Sequence, residues 1–202
     1  MTPAIRLPAV HALLALTFLA SGAAAQEKKP SGAASPSAAP GGAMPAMPKP
    51  GPEHAILKEH VGVWDATVQS FVAPGQPPMT SKGVETSTMV GDFWLVSDFK
   101  SEMMGSPFVG HGTMGYDPAK KKYVSTWVDS MTPSLSVGES DYDPGTRTFT
   151  GWMDGVDFGG KPTKVKAVTV WKDPAVRVFT MSMKGPDGKD ATAMRITYTR
   201  RK

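Results

Sequence analysis

From residue 62 to the end of the chain, apolar and polar residues alternate with a period of two, and turn-forming residues interrupt the alternation at short intervals. In "TKVKAVTVW", Val165, Ala167, Thr169 and Trp171 fall on one face and Lys164, Lys166, Val168 and Val170 on the other. Near the C-terminus, Met194, Ile196, Tyr198 and Arg200 oppose Arg195, Thr197 and Thr199. Successive side chains of a strand point to opposite faces, so this pattern predicts β-structure. Strands are expected over 62–73, 80–90, 93–104, 107–116, 122–130, 134–142, 147–154, 163–172, 175–184 and 190–200, and no stretch after 62 keeps a helical period. About ten short antiparallel strands in one chain must manage their edges, and closure into an up-and-down barrel is the usual solution. The expected fold is therefore all-β: a closed or nearly closed antiparallel β-barrel.

The turns carry their own pattern. Asp117-Pro118, Asp143-Pro144 and Asp173-Pro174 are each followed, six residues after the Asp, by an aromatic: Tyr123, Phe149 and Phe179. An Asp that bonds the backbone two residues on, followed by a Pro that presets φ, starts a type I turn. The spacing suits alternate hairpins of one meander, and Asp187-Gly188 supplies a further hairpin signal. Ahead of the first strand, "PEHAILKEHVG" has Pro52 at a helix start and Gly62 at its end, with Ile56, Leu57, His60 and Val61 on one face. So short a helix is not stable alone and must dock, most naturally across one end of the barrel.

The N-terminal quarter has a different character. Residues 1–25 read as a signal peptide: Arg6, the short apolar run "LPAVHALLALTFLA" and an A-x-A site at Ala23–Ala25. Cleavage there predicts a periplasmic or secreted protein, with no stable membrane insertion afterwards. Residues 26–52 are rich in Pro, Ala, Gly and Ser and predict a disordered linker, which leaves 53–202 as the barrel domain. Met44 and Met47 in that linker, with His54 beyond, make too thin a ligand set for copper(I). The chain has no cysteine, which excludes disulfides, thiolate metal sites and thiol nucleophiles. Lys and Arg number 22 against 18 Asp and Glu, with no basic block beyond Lys120–Lys122 in a turn, so nothing points to nucleic acid.

Gly62-Val63-Trp64 opens the first strand directly after the helix. Helix, G-x-W and barrel together resemble the lipocalin signature, in which the Trp packs under the barrel end against an Arg of the last strand. Arg200 shares a face with Met194, Ile196 and Tyr198 and is placed for that part. A guanidinium over an indole contributes about 0.5–2 kcal/mol. The "GVW" after the helix, "WLVSDFKSEMMGSPFVGHGTMGYDPAKKKYVSTWVDSM" over 94–131 and the closing "ITYTRRK" resemble a bacterial family known as domain of unknown function 1579. That resemblance covers nearly all of 53–202; it implies a lipocalin-like barrel and carries no catalytic residues with it.

Catalytic motifs are sparse. "GVDFGGK" (155–161) matches part of a phosphate loop, but Pro162 replaces the Mg²⁺-binding hydroxyl and a strand replaces the helix, so it reads as a hairpin loop. His54 and His60 are six residues apart and do not chelate like H-x-x-x-H. His111 lies in mid-strand between Gly110 and Gly112, which let a ligand or a neighbouring strand approach. Asp98 and Glu102 share a face with Lys100, the mark of a solvated stripe. No catalytic set, metal site or cofactor is assigned.

In "YDPAKKKYVSTWVDS", Val124, Thr126 and Val128 form a plain β-branched face, and Tyr123, Ser125, Trp127 and Asp129 a mixed one. Lumens that hold ligands are mostly apolar and aromatic with a few polar groups, which favours the mixed face inside. Met103, Met114 and Met153 would add adaptable walls, and His111 is a further lumen candidate. With the faces reversed, the aromatic face would instead suggest a contact between copies. The expected function is binding of a small, largely apolar ligand. The alternatives are a structural or interaction module whose core is filled by its own side chains, or an enzyme using Asp129 or His111.

Overall fold

The computed structural model describes residues 47–71, 76–103, 105–156, 161–185 and 188–202. The segment expected to be a signal peptide, the expected linker up to residue 46, the centre of the "GVDFGGK" loop and Asp187 lie outside the described residues. The period-two segments form β1 (Gly62–Ser70), β2 (Met79–Val90), β3 (Trp94–Met103), β4 (Ser106–Asp117), β5 (Lys122–Asp129), β6 (Ser136–Asp143), β7 (Thr148–Val156), β8 (Pro162–Asp173), β9 (Val176–Lys184) and β10 (Asp190–Arg200). Each strand pairs with its neighbours in the chain, and β1 pairs with β10, so the sheet closes on itself as an antiparallel up-and-down barrel. Closure removes every exposed edge. Barrel diameter grows with strand number; eight strands already leave room for one small ligand, and ten leave more.

The three Asp-Pro turns form as the sequence dictates. Asp117 Oδ1 accepts from Ala119 N at 2.9 Å, Asp143 Oδ1 from Gly145 N at 2.9 Å and Asp173 Oδ1 from Ala175 N at 2.7 Å. The third turn is shorter: β9 starts three residues after its Asp, whereas β5 and β7 start five after theirs. The repeat therefore places Tyr123 and Phe149 together at the barrel end, 4.9 Å apart edge to face, and carries Phe179 deeper into the lumen.

At that same end a 3-10 turn (Pro52–His54) runs into α1 (Ala55–Lys58), which is shorter than the sequence suggests. Beyond Lys58 the winding tightens: His60 N bonds Leu57 O and Val61 N bonds Lys58 O. The guanidinium of Arg200 then takes the free carbonyls of Val61 (2.6 Å) and Glu59 (2.5 Å). Ile56 and Leu57 are buried against Leu95, Tyr123 and Phe149. Polar ties fix the helix to the rim: Tyr123 Oη donates to Glu53 O at 2.8 Å, Lys58 pairs with Asp92 at 2.8 Å, and Arg147 pairs with Glu59.

The G-x-W signature explains itself in this setting. Gly62 sits at φ +130°, where a side chain is strained, and a Cβ there would crowd the Arg200 guanidinium at 3.0 Å. Trp64 is fully buried directly opposite Arg200 across the β1–β10 ladder. The Arg200 guanidinium lies 4.1 Å from the indole centroid, and Trp64 Nε1 donates to His60 O at 2.8 Å.

Candidate functional site

Above this closed end the barrel holds a cavity of about 480 Å³. Its walls are mainly apolar: Phe99, Phe108, Val165, Phe179, Ile196 and a set of methionines. Met103, Met114 and Met153 line it as the sequence suggested, joined by Met131, Met181 and Met194. Thioether side chains adapt to irregular shapes, so such a wall suits a ligand without fixed contours.

On β5 the mixed face points inward. Ser125, Trp127 and Asp129 border the cavity, whereas Tyr123 is buried in the cluster under the helix. The Trp127 ring covers Gly110 and Gly112 on the neighbouring strand; a Cβ at Gly110 would lie 2.2 Å from the ring, and one at Gly112 3.0 Å. These glycines thus make room for an indole and not for His111. His111 itself is not a lumen residue. It lies on the outer wall, exposed, with Nδ1 2.8 Å from Asp98 Oδ1. The cause is register: the residues on either side of it must face inward under Trp127, so strand alternation turns the imidazole out. Asp129 is occupied as well. Its Oδ2 accepts from Trp127 Nε1 at 3.0 Å, and its Oδ1 from the backbone N–H of Met131 and Thr132. Asp129 and His111 therefore sit on opposite faces of the wall and do not converge on one reacting atom.

The buried charges of the lumen lie at its floor. Arg177 and Glu85 are both buried, on β9 and β2, with β10 and β1 between them. The Arg177 guanidinium spans that gap, 4.4 Å from the Tyr198 ring centroid and 4.6 Å from that of Trp64, and donates to Glu85 Oε1. Its other terminal nitrogen donates to His60 Nδ1. Trp64 is thus flanked by the guanidinium groups of both Arg177 and Arg200. Ser87 Oγ donates to Glu85 Oε1 at 3.0 Å, and Ser97 Oγ lies 2.7 Å from Ser87 Oγ. Burial, the negative charge of Glu85 and a hydrogen bond to it hold the Tyr198 phenol well above its ordinary pKa of 10, so it stays protonated.

His60 is held neutral. Burial first, then the positive charges of Arg177 and Arg200, lower its pKa well below the ordinary 6.5. As pH falls below 6.5 the unfolded chain takes a proton that the folded chain refuses, so stability present above 6.5 is lost progressively on acidification, at up to about 1.4 kcal/mol per pH unit. Urea unfolding at pH 7.0 and 5.5 is expected to show a fall in the wild type about 1 kcal/mol larger than in His60→Gln; equal falls would remove His60 from this account.

Glu85, Arg177, Ser87 and Ser97 are absent from the sequence-derived candidates. In "AVRVF", Val176 and Val178 offer a plausible apolar inner face, yet they point outward, and Arg177 and Phe179 point inward. The usable signal is the face that Arg177 shares with Phe179, Met181 and Met183.

None of the curated proteins matches the chain at a significant level. Among solved structures, Rv2717c from M. tuberculosis superposes with a TM-score of 0.56 at 12% identity, over 75% of this chain and 99% of that one. The S-type phycobiliprotein lyase CPES from Guillardia theta gives 0.49 at 13% identity, over 74% and 93%. A redesigned β-barrel, b11L5F_LGL, gives 0.40 at 16% identity, over 72% and 95%. At 12% identity the likeness to Rv2717c concerns the fold alone. The family model described as "Protein of unknown function (DUF1579)" matches residues 49–200, and this chain therefore belongs to that family.

Proposed function

We propose that this is an exported protein whose barrel lumen binds one small, largely apolar molecule. The observation that carries the reading is the cavity of about 480 Å³, walled by aromatic and methionine side chains over a polar floor. That size lies within the roughly 300–1,000 Å³ of small-molecule pockets, and a few placed polar groups in an apolar surround are what such pockets use to fix orientation. Support for export comes from the sequence of residues 1–25.

The neutral fluorophore N-phenyl-1-naphthylamine tests the reading. Its emission is expected to rise on titration with the folded protein, with one site and a Kd on the order of 10 μM. Ala167, on the inner face of β8, borders the cavity. Ala167→Phe should fill the space and weaken binding at least about tenfold while the barrel still melts cooperatively. Absence of any saturable signal, or binding indifferent to Ala167→Phe, would refute an occupied lumen.

A further inference from the structure

The polar groups on the β2–β3 wall of the lumen are wired in one direction. A hydroxyl has a single proton to donate, and an ionised carboxylate only accepts. Glu85 sits at the end of the wire, in an ion pair with Arg177. Ser87 spends its proton on Glu85 Oε1. The short contact between Ser87 and Ser97 must then run the other way, with Ser97 Oγ donating to Ser87 Oγ at 2.7 Å. Ser87 is almost fully buried, whereas Ser97 is half-buried and borders the cavity. What the β2–β3 wall shows a guest is the lone-pair side of Ser97.

We infer that the lumen reads its ligand as a hydrogen-bond donor: an apolar body carrying one O–H or N–H group that points at Ser97 Oγ, ahead of an acceptor-only or anionic analogue. This rests on the occupied-lumen reading above and adds the chemical class of the guest. Trp127 supports a planar body. Its ring covers Gly112, which is the cross-strand partner of Ser97, so a flat aromatic guest has a wall beside the acceptor. The Arg177 guanidinium is not a free charge for an anion, because Glu85 already neutralises it in a buried ion pair.

The test is a calorimetric comparison of four compounds with one skeleton: naphthalene, 2-naphthol, 2-methoxynaphthalene and 2-naphthoate. 2-Naphthol is expected to bind roughly tenfold tighter than 2-methoxynaphthalene, the worth of one good hydrogen bond, and 2-naphthoate weakest. Ser97→Ala should bring 2-naphthol to within about twofold of 2-methoxynaphthalene. Ser87→Ala gives the sharper readout. Ser87 is too buried to touch a guest, but its loss frees the Ser97 proton, so 2-methoxynaphthalene should bind tighter than in the wild type. A merely structural role for Ser87 would weaken all four compounds alike and overturn the inference. Equal binding of 2-naphthol and 2-methoxynaphthalene, or tightest binding of 2-naphthoate, overturns it and leaves the occupied lumen standing. Binding of none of the four removes the occupied lumen and this inference with it.

Discussion

Replacing Trp64 with alanine is expected to cost about 5 kcal/mol of unfolding free energy, a large share of the 5–15 kcal/mol typical of a domain. The indole is fully buried, and its Nε1–H bond to His60 O ties β1 to the chain that leads out of the helix. Deleting it opens a void under Trp171, which lies edge-on at 5.6 Å. It also strips the aromatic face from two guanidinium groups at 4.1 and 4.6 Å. The cavity supplies about 3–5 kcal/mol and each cation–π contact about 0.5–2 kcal/mol, not fully additively. In a domain of this size the midpoint of thermal unfolding should fall by roughly 10–20 °C. Trp64→Phe keeps a ring but loses the hydrogen bond and should lose about half as much. Urea titrations of the three proteins decide the matter; a loss under about 1 kcal/mol for the alanine variant would show that the closed end is not held together here.

Glu85→Ala should be nearly as damaging, for an electrostatic reason. The Arg177 side chain is only 6% exposed, and Glu85 is its one carboxylate partner among the described residues. Removing one member of a buried pair leaves an uncompensated charge at a cost of about 3–5 kcal/mol. The second substitution separates this from simple loss of volume. Glu85→Ala combined with Arg177→Met removes both charges, and the double variant should recover a good part of the loss, because apolar replacement of a buried pair is often neutral or better. If the double variant is less stable than Glu85→Ala by the full cost of Arg177→Met alone, the two residues are uncoupled and the floor network has been misread.

The scaffold was legible because its determinants are local. Alternation over residues 62–200 marks the strands, and each Asp-Pro turn carries its own hydrogen bond to a backbone N–H two residues on. The pairing of Trp64 with Arg200 was legible through the resemblance to the lipocalin signature, and closure sets the two residues opposite each other on β1 and β10. The floor was not. Arg177 and Glu85 are 92 residues apart in the chain and three strands apart in the barrel. Neither is distinctive until the register sets both on the inner face and Trp64 and Tyr198 provide aromatic surface between them. His111 shows the converse. The flanking glycines were a real signal of close approach, but what approaches is Trp127 from the next strand, on the face away from the imidazole. A glycine-flanked histidine gives the spacing and leaves the side of the sheet open, and one residue of register decides it.

The most direct measurement is a crystal structure of the protein grown with 2-bromonaphthalene, using anomalous scattering to locate the bromine. The account predicts one strong bromine site inside the barrel, among Trp127, Met153 and Phe179 and above the Arg177–Glu85 pair. A lumen collapsed onto its own side chains, with bromine found only on the outer wall, would contradict it.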